Sequence, residues 1–150
     1  KFNLPIIIST HPRTKMRIES FKKLSFHPKI KFCKPFGFID YIKLQLSAKC
    51  IISDSGTITE ESSMLNLPSI TIRNSHERPE GMDFGTLIMS GLRRERVLDS
   101  IDIILKTHNS TQRVFKPITD YENVNTSKQI LRIIFSYTDF VQRNTWKKDV

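Results

Sequence analysis

No apolar run in the 150-residue chain approaches the ~20 residues that span a bilayer, so a transmembrane helix is excluded and a soluble chain is expected. Cysteine is scarce. Cys33 and Cys50 stand alone in apolar settings, which argues against a disulfide framework or thiolate metal site and for reduced thiols in a cytoplasmic compartment. No grouping of histidine, cysteine and carboxylate has metal-ligand spacing, and G-x-S-x-G, the Walker loop and G-x-G-x-x-G are all missing. The common nucleophile and dinucleotide readings therefore drop out, and no cofactor or metal is expected. Internal repeats and low-complexity segments are missing too. The opening "KFNLPIIIST" has no initiator methionine, no charged-then-apolar leader and no small-residue cleavage site, so it reads as cut from something longer.

What is present is the composition of one ordinary domain, 38% hydrophobic and 26% charged, with enough length for one continuous core. Twenty-four basic and 15 acidic residues give a net charge of +9, which taken whole suggests a nucleic-acid or membrane-surface partner. The distribution argues against both. Residues 1–49 carry +9, residues 50–105 carry −4 and residues 106–150 carry +4, so the segment richest in special residues is the acidic one. The lysines lie in stretches such as "KMRIESFKKL", without interleaved aromatics or glycine-arginine repeats, and read as solvated faces. Long-range attraction of a small anion is compatible with them.

Short apolar runs alternate with segments of helical period, the pattern of a parallel sheet with crossover helices. Strands are expected at Pro5–Ser9, Ile30–Phe32, Cys50–Ser53, Ser69–Ile72 and Thr86–Met89. Helices are expected at Thr14–Lys23, Asp40–Ala48, Thr57–Leu65 and Arg93–Thr107. Val97, Ile101, Ile104 and Leu105 share a face of the last, and Ile39, Ile42 and Leu46 group around the second. His108–Asn125 reads as a connector containing Pro117. Thr126–Val141 returns to helical spacing through Ile130, Ile133, Ile134 and Tyr137. The expected fold is α/β, half of a Rossmann-like doubly wound protein with a terminal helix across it.

Ligands of such sheets bind beyond the carboxyl ends of the strands, so the turns after the apolar runs matter most. Thr10-His11-Pro12-Arg13 follows the first run, Asp54-Ser55-Gly56-Thr57 the third and "RNSHERPEG" the fourth, and all three are expected on one edge. Ser55 and Gly56 at a strand-to-helix junction would let backbone amides approach an anion such as a diphosphate. The same stretch is also a capping box, Thr57 to Glu60, in which Glu60 would satisfy the Thr57 amide. Read alone it favours the cap. Glu61 is placed to accept from a vicinal diol such as a ribose, or is an exposed helix glutamate. Arg78, held extended by Pro79, suits bidentate phosphate bonds, or pairs with Glu77 or Glu80. His76 is expected to face solvent. His11 ends the first strand, where it could donate to a phosphate or cap the following helix.

Together, "STHPR", "KPFGFIDYIKLQ", "SDSGTITEESSMLNLPSITIR", "HERPEG" and "GTLIMSG", in that order, make the chain resemble the carboxyl-terminal half of the non-hydrolysing UDP-N-acetylglucosamine 2-epimerases. The resemblance implies one half of a glycosyltransferase-B-type two-domain fold. Residues 1–125 would be the UDP-binding domain, and 126–150 a terminal helix packing across it or onto an amino-terminal domain. It implies that Ser55, Gly56 and Thr57 hold the diphosphate, Glu61 the ribose, Arg78 and His11 the phosphate side, and that Tyr41 packs near the uracil. It implies a UDP-amino-sugar substrate, a homodimer, an amino-terminal half carrying the acid and base carboxylates, and no nucleic-acid or membrane partner.

Two departures from the commoner family forms, Thr57 and Thr59 in the glycine turn and Phe36 in the base-binding segment, are similar to the branch acting on 6-deoxy amino sugars. Two other readings stay open: the donor half of a glycosyltransferase and a basic non-catalytic binding module.

Overall fold

Isoleucine-rich runs bounded by Pro, Asn, Asp and Ser become short parallel strands, and the amphipathic stretches between them become helices, as β-branched and turn chemistry dictate. The computed structural model describes residues 1–21, 24–122 and 124–149. The chain divides into two units, Lys1–Ala48 and Lys49–Val150.

The first unit runs β1 (Ile6–Ser9), α1 (Pro12–Ser20), β2 (Ile30–Cys33) and α2 (Phe38–Ser47). The strands pair in parallel from Ile6↔Ile30 to Ser9↔Cys33, a βαβ crossover as expected. Helix α1 starts two residues before the expected Thr14 because Pro12 occupies its first turn, where a missing N–H costs nothing. The end expected at Lys22 and Lys23 lies outside the described residues. Helix α2 is rotated from the expected face: Ile39 and Leu46 are 75% and 59% exposed, whereas Gln45 is buried and Tyr41, Ile42 and Leu44 are half-buried. Positions 41, 45 and 48 form the inward stripe, about one residue's turn away from the one through Leu46.

The second unit runs β3 (Ile51–Ser53), α3 (Ile58–Leu65), β4 (Ser69–Thr71), α4 (Glu80–Asp83), β5 (Ile88–Met89), α5 (Arg94–Thr107), a single 3-10 turn (Thr119–Tyr121) and α6 (Thr126–Asn144). Its sheet is parallel in the order β3-β4-β5, with Ile51 opposite Ser69 and Ile70 opposite Ile88. All three residues of the central strand β4 are buried, as a strand covered on both faces requires. The core is Ile51, Ile58, Leu67, Ile70, Leu87, Ile104 and Ile118. On α5, Ile104 and Ser100 are buried with Val97 and Ile101 half-buried, but Leu105 is 37% exposed; it lies some 100° from Ile104 and leaves the stripe.

Two features of this unit go beyond the sequence expectations. The segment read as a loop through Gly81 is helical from Glu80, begun by Pro79. The connector from His108 to Asn125, of which Asn123 lies outside the described residues, is a tied strap. Arg113 donates to the carbonyls of Ser63 and Met64 at 2.6 Å each, the amide of Ile118 donates to Ser63 Oγ at 2.8 Å, and Asn66 Nδ2 donates to the Asn109 carbonyl at 3.0 Å. The Ser63 and Met64 carbonyls belong to the last turn of α3, where no intrahelical donor serves them. The helix ends there in left-handed backbone at Asn66 (φ 53°), with the Leu67 amide returning to the Ser62 carbonyl. Helix α6 spans 19 residues and buries none of them; Ile130, Ile133, Ile134 and Tyr137 stay about half exposed.

Candidate anion site at the start of helix α3

Parallel strands end together, so in the second unit the turn after β3 and the segment after β4 share the carboxyl edge, as expected. The Ile72 amide donates to the Ser53 carbonyl (3.1 Å) and the Ser90 amide to the Thr71 carbonyl (2.9 Å), which fixes that edge. A depression there is lined by Ser55, Gly56, Thr59, Arg73, His76 and Arg78 among others. The first unit carries His11 at the end of β1 and Tyr41 in the first turn of α2.

Ser55 builds the turn. Its amide donates to Ser53 Oγ (3.0 Å), its Oγ lies 3.0 Å from Thr57 Oγ1, and the Thr57 amide points at the Ser55 Oγ at 3.4 Å. The amides of Gly56, Thr57 and Ile58 stand at the positive end of α3, where no preceding helical carbonyl serves them. Gly56 leaves room for what lies over it. A Cβ there would overlap Arg78 Nη1 and sit 3.4 Å from Cζ, with Arg73 Nη1 at 3.9 Å. The sequence signature thus brings Ser55, Gly56 and Thr57 together with Arg78 within one unit.

The capping box does not form. Thr57 has helical rather than extended backbone (φ −63°, ψ −16°) and makes no side-chain cap bond, since a side-chain cap needs the extended geometry that aims it at the following amides. Glu60 turns instead to Arg78, whose Nε lies 2.9 Å from Oε1. Arg78 therefore pairs with neither Glu77 nor Glu80. Exposed Glu77 is 3.9 Å from half-buried Arg73, and Glu80 accepts a short hydrogen bond from the Tyr121 hydroxyl. That bond pulls the Glu80 carboxyl below its usual range. Burial, then the same bond, pushes the Tyr121 phenol up. Glu61 is half-buried one position further along α3 and His76 is exposed, as expected.

His11 caps α1, its Nδ1 accepting from the Arg13 amide at 3.2 Å. A neutral imidazole that accepts at Nδ1 carries its proton on Nε2, so the exposed ring keeps a donor for an outside acceptor. Both cysteines are free, and burial pushes the Cys50 thiol up to about 11, so it is no nucleophile at neutral pH. Among the described residues no three metal-ligating side chains cluster and no helix is long and apolar enough to cross a membrane. Sequence reasoning passed over Arg73 and Tyr121. Arg73 was discoverable as the residue that follows the expected fourth strand, but nothing local marks Tyr121, whose partner lies 41 residues away.

A serine-glycine turn, the amides at the start of α3 and two guanidiniums near the glycine are the groups that would suit an anion here. The family model described as UDP-N-acetylglucosamine 2-epimerase matches residues 1–135. The chain belongs to that family. Among solved structures, UDP-N-acetylglucosamine 2-epimerase from Rickettsia bellii is 51% identical with a TM-score of 0.88, over 98% of this chain and 40% of that one. The Methanocaldococcus jannaschii UDP-GlcNAc 2-epimerase, solved in complex with UDP-GlcNAc and UDP, is 34% identical with a TM-score of 0.76, over 88% of this chain and 36% of that one. The curated Methanocaldococcus jannaschii enzyme is 33% identical over 136 residues. The chain spans 36% of that relative's length, so it matches a little over a third of a 2-epimerase. The α/β, Rossmann-like fold read from the sequence is that of these relatives.

Proposed function

We propose that the chain is the nucleotide-binding part of a UDP-N-acetyl amino-sugar 2-epimerase. The observation that carries this reading is the Arg78 guanidinium lying over Gly56 at the start of α3. In it, the amides after Ser55, at Gly56 and Thr57, cradle the diphosphate, with Arg78 and the Nε2 donor of His11 on the phosphate side. Glu61 accepts from the ribose hydroxyls and Tyr41 lies by the uracil. The relative solved with UDP-GlcNAc and UDP supports that ligand class.

Inversion at C2 by departure and return of UDP sets two chemical tasks. A positioned base and acid must exchange the C2 proton, and positive groups must hold the diphosphate more tightly as its charge grows. The amides at the start of α3 and the guanidiniums perform the second task. The first belongs to carboxylates of an amino-terminal half, within a cytoplasmic homodimer. The chain alone would bind UDP weakly and not epimerise. UDP-GlcNAc and UDP-ManNAc, or their 6-deoxy analogues, are the expected substrates.

Titration of UDP into the wild type, Ser55→Ala, Glu61→Ala and Arg78→Ala tests the site. Each variant should lose about tenfold, the order of one charge-assisted hydrogen bond. Unchanged affinity in all three ends the proposal. Incubation with UDP-GlcNAc followed by resolution of C2 epimers tests the division of labour, which turnover by the chain alone would refute.

A further inference from the structure

The sequence places Glu60 in a capping box, and the structure gives it a different partner 18 residues away. We infer that Glu60 is a positioning residue that holds Arg78 by Nε and so presents the Nη1 side of the guanidinium to the Gly56 turn; this rests on reading that turn as the diphosphate site. The contact is one-pronged. Oε1 pairs with Nε at 2.9 Å, and Oε2 is buried without a hydrogen bond among the described residues.

A carboxylate that sequestered the arginine would face two N–H groups in the parallel geometry arginine offers. Here one N–H is used, and Nη1 stays over Gly56. Glu60 sits in the first turn of α3, directly after the Ser55-Gly56-Thr57 turn. One rigid element therefore sets both the amides and the aim of the guanidinium.

The neighbouring acids are otherwise engaged, which leaves this task to Glu60. Glu77 faces Arg73, and Glu80 takes the Tyr121 hydroxyl. Without the Glu60 contact, the Arg78 side chain, 37% exposed, would spread over its rotamers, and each ligand-binding event would have to order it again.

A binding cycle on the full chain decides the matter. UDP is titrated into the wild type, Glu60→Gln, Glu60→Ala, Arg78→Ala and the double alanine variant, with thermal melts to verify folding. Glu60→Ala should weaken UDP about tenfold and Glu60→Gln no more than about threefold, since the amide oxygen still accepts from Nε. In the Arg78→Ala background Glu60→Ala should add nothing. Tighter UDP binding by both Glu60 variants would make the carboxylate a competitor and overturn the inference. So would unchanged affinity in Glu60→Ala, or an equal loss in the Arg78→Ala background.

If Arg78→Ala itself leaves UDP affinity unchanged, the diphosphate reading fails, and a ligand-free measurement judges the positioning. The Arg78 Nε–H resonance should exchange slowly in the wild type and Glu60→Gln and be lost in Glu60→Ala. Equal exchange in all three overturns it.

Discussion

The two units share a βαβ pattern but not a core. In Lys49–Val150 seven apolar residues between Ile51 and Ile118 are buried, and the central strand is covered on both faces. In Lys1–Ala48 the buried residues among those described are Thr10 and Gln45, while Ile6, Ile7, Phe32, Phe38 and Ile39 are all exposed. The difference lies in the number of strands. The third strand pairs both edges of β4, and α3 and α5 pack on its faces, whereas a two-stranded ladder leaves every strand an open edge. Alternation of strands and helices therefore specifies topology, and stability follows only where a third strand lets the faces close.

The widest expected gap is between matched isoleucines. Ile70→Ala in β4 should cost about 2–5 kcal/mol in denaturant melts, as a fully buried large-to-small change does. Ile7→Ala in β1, at 48% exposure, should cost under about 1 kcal/mol. Equal losses would mean that the first unit has a core of its own kind.

A second test separates packing from function within the larger unit. A Cβ at Gly81 would come 2.5 Å from the Cγ2 of buried Thr59, so Gly81→Ala should lose about 1–3 kcal/mol through overpacking between α3 and α4. At Gly56 the obstacle is the far end of a flexible arginine, so Gly56→Ala should leave the melting temperature nearly unchanged and weaken UDP. A large stability loss at Gly56 would turn the site into a structural joint.

The smallest effect concerns Tyr121→Phe, expected to cost about 1 kcal/mol through the lost bond to Glu80. Its pH signature is specific. Tyr121 has a raised pKa, so its contribution is full below about pH 10 and falls as pH rises further. Glu80 has a lowered pKa, so its contribution is full above its unfolded value, near 4.5, and falls with acid. The gap between wild type and variant in pH-dependent melts should close at both extremes, and a gap constant with pH would exclude the phenol-carboxylate bond as its source.

Legibility followed the range of the interactions. All five strands and five of the helices were readable because runs such as "PIIIS" and "CIIS" and the stops after them are local. The placing of Ser55, Gly56, Thr57 and Arg78 was readable from the parallel topology, which puts the turns after β3 and β4 on one edge. What failed was the choice among partners. Glu60 satisfies a capping rule four residues wide, yet an arginine 18 positions on claims it, and sequence spacing carries no term for that competition. Helix faces failed for a related reason: apolar identity does not say which side of a helix the rest of the unit covers, and Leu46 and Leu105 are exposed.

The strap from Asn109 to Tyr121 has a consequence for how the chain folds. Its ties to α3 and α4 join residues 41 to 55 positions apart, whereas the contact between α3 and Arg78 spans 18. Such distant ties carry the largest loop-closure cost and tend to form last. Ile118, 2% exposed, would then be the final piece of the core to lock. A ribosome that has released residues up to Thr107 has delivered β1 to β5 but not the plug, and the far turn of α3 stays unlatched until about a dozen more residues emerge.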